Sequence, residues 1–196
     1  KSRGGGMSGM KKSLTSLLQW IELLGLSFTL ALIINLFVMQ PIKVVGKSMT
    51  PTLRENDFLI LSRVGKTLNL DLDYGDIVVI DHRTDRKRSL LDDISDIGLF
   101  HRLENRNLWI KRLIGKPGDT IEIRSGSVYR NGEPLNEPYL LEEYMNSPNE
   151  TFVVPKDHIF VLGDNRNNSM DSRRIGFIPY GNIKGTMVAD VSKLLR

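Results

Sequence analysis

Two side chains in this 196-residue sequence sit in contexts that suit covalent chemistry, a serine and a distant lysine. Ser48 falls where the short apolar stretch Val45-Gly46-Lys47-Ser48-Met49-Thr50-Pro51-Thr52-Leu53 breaks into a turn. A serine hydroxyl is a weak nucleophile and needs a base. His82, His101 and His158 lie in unrelated contexts and make no His-Asp-Ser arrangement of a recognised kind. Lys111 is the alternative base. It lies in the apolar, strand-like run Leu108-Trp109-Ile110-Lys111-Arg112-Leu113-Ile114, which the turn Pro117-Gly118-Asp119 follows. Burial and a neighbouring cation both disfavour a charged amine. A lysine starts from a pKa of about 10.4 and needs a drop of about one to three units to act as a base.

A third stretch, Gly163 to Phe177, is dense in turn-forming and hydrogen-bonding residues and follows the strand-like Ile159 to Leu162. A polar loop of that kind suits positioning better than core building. Gly46-Lys47-Ser48 also ends like a phosphate-binding loop. That motif needs glycine at position 41, where Pro41 stands, and it is rejected.

These stretches have to be positioned by the rest of the chain. From Leu14 to Met39 the sequence is largely apolar on all faces, after Lys11 and Lys12 and before Gln40-Pro41. Residues 13–41 are expected to form a membrane anchor, with Trp20 at the interface and the N-terminus on the cytoplasmic side. Residues 1–12 read as a flexible N-terminus, and Lys1 to Gly6 are set aside from fold reasoning. Beyond residue 41, short runs rich in Val and Ile are bounded by Gly, Pro, Asn or Asp. Ile42–Val45, Phe58–Leu61, Ile77–Ile80, Leu108–Ile114, Thr120–Ile123, Ser127–Arg130, Phe152–Val154, Ile159–Leu162 and Thr186–Val191 are expected strands. Asn131-Gly132 marks a hairpin. The body, residues 42–196, is therefore mainly β, and residues 83–107 read as an insertion holding a hairpin or a short helix.

The net charge of +4 suits work beside anionic lipid and is also common in soluble domains. There is no aromatic-interleaved basic stripe of the kind that binds nucleic acid. The chain has no cysteine, which excludes disulfides, thiolate metal sites and a cysteine nucleophile. Its histidines and carboxylates lack metal-ligand spacing, so neither a metal nor a cofactor is expected.

Taken together, Ser48-Met49-x-Pro51-Thr52-Leu53, Lys111-Arg112-x-x-Gly115-x-Pro117-Gly118-Asp119 and Gly163-Asp164-Asn165-Arg166-x-x-Ser169-x-Asp171-Ser172-Arg173 resemble the ordered motifs of type I signal peptidases. Those are membrane-anchored Ser/Lys proteases that remove signal peptides from exported pre-proteins. The resemblance runs from the anchor to about Tyr180. It implies coiled antiparallel sheets, one N-terminal transmembrane helix, and a smaller subdomain at about residues 122–157. It also implies a single-pass protein of the cell membrane with an extracytoplasmic catalytic domain.

The resemblance further implies roles for single residues. Ser48 would be the nucleophile of an acyl-enzyme, Lys111 its general base, Ser169 the group that orients the lysine, and the Ser48 backbone N–H an oxyanion donor. Some members of the family add a serine hydroxyl two residues before the nucleophile, where this chain has Gly46. Asp171 and Arg173 are expected to share a side of an extended loop and pair, joined by Arg112. Gly163, Asp164, Asn165 and Arg166 would complete that loop. Ile42, Val44 and Gly46 alternate on one strand face leading to Ser48. With Met49, Leu53 and Ile110 they would line a small apolar cleft, beside a strand edge able to pair with an extended peptide. Two rival readings stay open: a self-cleaving repressor, which predicts a DNA-binding helical domain where the apolar run stands, and a non-catalytic anchored β module.

Overall fold

A computed structural model describes residues 5–65, 72–86, 88–95 and 107–194, and of the side chains in the first helix those from residue 16 onward. Helix α1 spans Gly5–Phe37. Its segment Ser16–Phe37 is long and apolar enough to cross a membrane. Leu17, Trp20, Leu24, Leu26 and Phe28 are all exposed along it, with no protein surface covering them. The helix begins earlier than expected, since residues 5–12 are helical rather than flexible. It also ends earlier, at Phe37. Pro41 biases the residue before it toward extended backbone, so Gln40 and Pro41 lie in strand β1, Met39–Lys43.

The remaining strands are β2 (Phe58–Ser62), β3 (Ile77–Asp81), β4 (Leu108–Gly115), β5 (Thr120–Arg124) and β6 (Ser127–Arg130). They are followed by β7 (Glu133–Pro134), β8 (Glu150–Val153), β9 (His158–Leu162), β10 (Ile178–Pro179) and β11 (Ile183–Asp190). Short helices α2 (Leu90–Ser95), α3 (Ser172–Ile175) and α4 (Val191–Leu194) interrupt or end them. All pairings are antiparallel, in a seven-stranded sheet of order β1-β2-β11-β3-β4-β9-β10 and a four-stranded sheet of order β7-β6-β5-β8. The fold is thus mainly β with one N-terminal apolar helix, as expected. Strand boundaries move: β1 starts and ends earlier than 42–45, β8 runs over Glu150–Val153 instead of 152–154, β11 over Ile183–Asp190 instead of 186–191, and β2, β3, β4, β5 and β9 each extend one residue further. The two-residue strands β7 and β10 carry no sequence pattern of their own.

The turns follow from backbone preferences. Asn131-Gly132 joins β6 to β7 with both φ values positive, 55° and 87°, the geometry that a tight hairpin demands. Ser125-Gly126 does the same between β5 and β6. Between residues 83 and 107 the described part holds α2, so the short-helix alternative is the one observed there. The rest of that stretch, including His101, lies outside the described residues. Asp93 of α2 pairs with the buried Arg63 at 2.7 Å, and the Arg63 N–H donates to the Val38 carbonyl. The insertion is therefore fastened next to the end of α1.

Three apolar clusters fill the body. Val78, Ile80, Leu113, Ile159, Val161, Ile178 and Ile183 pack on one side of the large sheet. Ile114, Ile121, Ile123, Val128, Phe160 and Leu162 join the two sheets. Val44, Met49, Leu53, Leu59 and Ile77 form the third, with Ile42, Ile110 and Met187 against them. This third cluster underlies the Ser48 turn.

Candidate active site

The turn carrying Ser48 is anchored from both ends. Leu53 and Met49 are buried in the third cluster, and the Leu53 N–H donates to the Met49 carbonyl. On its far side the Ser48 carbonyl accepts from the Asn165 N–H at 3.0 Å, and the Asn165 side chain donates to the Lys47 carbonyl at 3.2 Å. The turn is thereby tied to the loop that follows β9.

Lys111 comes from the middle of β4, paired with Val78 of β3. Its Nζ lies 2.8 Å from Ser48 Oγ and donates to the Ile110 carbonyl at 3.0 Å. The residue is 3% exposed. Burial pushes its amine down to about 8, against the pull of Asp171 and Asp164, which favour the charged form; Arg173 acts with burial. Near pH 7 about a tenth of such an amine is neutral, and that form can take the proton of a hydroxyl in contact with it. The two residues expected to carry chemistry are therefore together, one lowered in basicity by its surroundings and the other within its reach. The Ser48 backbone N–H makes no hydrogen bond among the described residues. It is free to face a developing oxyanion.

The loop after β9 is held by three ion pairs. Arg112 grips Asp164 with two bonds, Nε to Oδ1 at 2.8 Å and Nη2 to Oδ2 at 2.6 Å. Asp164 is fully buried and also accepts from the Thr52 hydroxyl, which joins it to the serine turn. Asp171 accepts from Arg173 through both oxygens at 2.8 Å and from the Gly163 N–H at 3.1 Å. Arg166 donates to the Gly163 carbonyl and pairs with Glu137. The geometry corrects two expectations. Arg112 does not join the Asp171–Arg173 pair, because Asp164 already occupies its fork. Asp171 and Arg173 meet through a helix cap, not an extended segment: the Asp171 side chain accepts from the Arg173 N–H at the start of α3.

Ser169 departs from its expected contact. Its Oγ is buried with no hydrogen-bond partner, and Lys111 turns its second bond to the Ile110 carbonyl. The hydroxyl packs instead against Gly163, where an added Cβ would lie 2.3 Å from it.

The expected cleft residues are partly brought together. Ile42, Val44, Met49, Leu53 and Ile110 belong to one cluster, but Leu53 is wholly buried and serves as its floor. The alternating face stops short of Gly46, since β1 ends at Lys43 and Gly46 turns at φ +86°. Beside it, β1 pairs with β2 alone among the described residues, which leaves its other edge unpaired there.

Several contributors went unmarked in the sequence. Glu137 and Tyr139 reach in from the segment after β7: Glu137 pairs with Arg166, and the Tyr139 ring covers the Arg112 guanidinium at 3.8 Å. Trp109 lies beside Lys111, its ring centroid 5.5 Å from Nζ. The only signal for Glu137 and Tyr139 is their spacing around Pro138, which does not say what they touch. Among the described residues no group of His, Asp and Glu could hold a metal ion.

Comparison with known proteins supplies the context. The signal peptidase (peptidase S26) family profile matches residues 17–191. The chain is 37% identical over 179 residues to signal peptidase I of Leptolyngbya laminosa, covering 90% of this chain and 80% of that one. It is 35% identical over 188 residues to signal peptidase I T of Bacillus subtilis, covering 90% and 86%. A solved signal peptidase I from Enterococcus faecalis overlaps 60% of this chain and 97% of its own, at 28% identity and a TM-score of 0.44. With a match over nearly its whole length and relatives above one-third identity, the chain belongs to the signal peptidase family, peptidase S26, whose members are serine peptidases.

Proposed function

We propose that this protein is a membrane-bound endopeptidase that removes signal peptides from exported pre-proteins through a Ser48/Lys111 dyad. The observation that carries the reading is the 2.8 Å approach of Lys111 Nζ to Ser48 Oγ, with the lysine 3% exposed. Neutral Lys111 takes the Ser48 proton as Oγ attacks the scissile carbonyl, and the Ser48 N–H receives the oxyanion. The lysine then protonates the leaving amine, which releases the mature protein and leaves the signal peptide as an acyl ester on Ser48. Lys111 next activates a water that hydrolyses this ester and regenerates the hydroxyl.

Ser169 is proposed to orient the lysine during this cycle. A buried hydroxyl left without a partner costs about 1–3 kcal/mol, which favours its use once substrate closes the site. The substrate would add as a strand along the open edge of β1, its small side chains meeting Ile42, Val44, Met49 and Ile110. Helix α1 would cross the bilayer once, with the N-terminus cytoplasmic and the catalytic domain outside.

The test is processing of a pre-protein with an Ala-x-Ala site by detergent-solubilised protein. Ser48→Ala and Lys111→Ala are each expected to lose at least about 10³-fold in kcat/KM. Processing undiminished in Lys111→Ala ends the dyad reading.

A further inference from the structure

His82 lies just past the end of β3, and its ring stacks flat on Trp109 with centroids 4.2 Å apart and an interplanar angle of 4°. The residue is fixed at two points. Its backbone N–H donates to the Asn107 carbonyl at 3.2 Å, and its Nδ1 contacts the same oxygen at 2.9 Å. Trp109 packs on its inner side against the cluster of Val78, Ile80 and Leu113. Its ring also stands over Lys111 Nζ, 5.5 Å from the centroid. His82 and Trp109 are both half-buried, whereas Lys111 is almost wholly enclosed. The indole thus lies beside the amine, and His82 stacks on the indole.

We propose that His82 is a positioning residue for the general base: by clamping the Trp109 indole as a wall against solvent it keeps water from the Lys111 amine and so favours the neutral form. The inference rests on the Ser48/Lys111 reading and deepens it. The other charges facing Lys111 are Asp164, Asp171 and Arg173. Both carboxylates are held by arginines and neither touches His82, so a substitution at 82 leaves them as they are. Burial is the main reason the lysine is lowered to about 8. Loosening the wall returns the amine toward its ordinary value. The imidazole need carry no charge for this, and a flat aromatic ring should replace it.

The experiment compares pH profiles of kcat/KM for the full-length protein and its His82→Leu, His82→Ala and His82→Phe variants. Leucine or alanine is expected to move the acid limb upward by about one unit, a loss of about tenfold below pH 7 that closes at alkaline pH. Phenylalanine is expected to keep the original limb. A second readout needs no activity. In a Trp20→Phe background, acrylamide quenching of Trp109 should rise in His82→Leu and stay unchanged in His82→Phe. An unmoved acid limb in His82→Leu and His82→Ala, or a loss equal at every pH, overturns the proposal while leaving the dyad intact. Lys111→Ala assayed alongside separates the cases: activity retained there removes the dyad and this inference with it.

Discussion

A methyl group on Gly163 would stand 2.6 Å from the carbonyl oxygen of Ser48 and 2.3 Å from the hydroxyl of Ser169. The loop after β9 lies directly against the serine turn, and only hydrogen at that Cα allows it. Gly163→Ala is therefore expected to push the serine carbonyl and the Asn165 bond that holds it. A displacement near 1 Å at a reacting group costs about 10²-fold. Steady-state kinetics should show that loss in kcat, while thermal unfolding shifts only modestly.

The pH dependence follows from Lys111. In the proposed mechanism the neutral amine is the active form, and burial lowers it to about 8, so kcat/KM should climb tenfold per pH unit below 8 and level off above. Asp171 favours the charged amine, and Arg173 opposes it. Asp171→Asn removes the first influence and frees the second, so the acid limb should move below 8. The same change leaves a nearly buried arginine without its partner, at about 3–5 kcal/mol of stability. A pH–rate profile measured on the surviving folded fraction separates the two effects.

Lys111 also bears on stability. Its amine is lowered when folded, so between about pH 8 and 10.5 the unfolded chain binds more protons, and stability rises with pH across that window. Below it the folded state carries the whole penalty of protonating a buried amine, up to about 3 kcal/mol. Lys111→Met should be inactive and yet more stable than the parent at pH 7, with the advantage shrinking toward pH 10.5. Urea unfolding of both proteins at the two pH values checks this.

Arg112 is a fork, not simply a cation. It holds both oxygens of buried Asp164, donates to the Gly75 carbonyl at 2.8 Å and lies under the Tyr139 ring. Arg112→Lys keeps the charge and loses the paired geometry. It is expected to cost about 2–3 kcal/mol. Activity should fall with it, because Asp164 also anchors Thr52 of the serine turn. Guanidinium unfolding and kcat/KM on the same preparation check both outcomes.

What the sequence disclosed was local. Turn chemistry gave the Asn131-Gly132 hairpin, and alternating Val and Ile gave most strands to within a residue or two. The juxtaposition of Ser48 and Lys111 was legible through ordered motifs, since no periodicity links a turn to the middle of a strand so far along the chain. The bond geometry around them was not. Arg112 and Asp171 were both readable as loop-holding residues, but which carboxylate meets which guanidinium depends on how β4 and β9 pair. Glu137 and His82 were invisible for the same reason. Each matters through a neighbour brought up by sheet register, and a lone glutamate or histidine announces nothing about that. The end of α1 was misplaced because hydropathy continues past Phe37, while Pro41 switches the backbone to strand before it fades.

A single residue, Val38, separates the last turn of α1 from the first residue of β1, and β1 leads within five further residues to Ser48. So short a join leaves no slack. If α1 sits upright in a bilayer and the proposed function holds, the blade and its handle are one piece: Ser48 is carried at a set height above the lipid, and a polypeptide threaded through the same bilayer would be nicked where its own bonds pass that level. Selection of the cleavage point would then be partly a matter of altitude, with three or four glycines spliced in after Val38 expected to blur it.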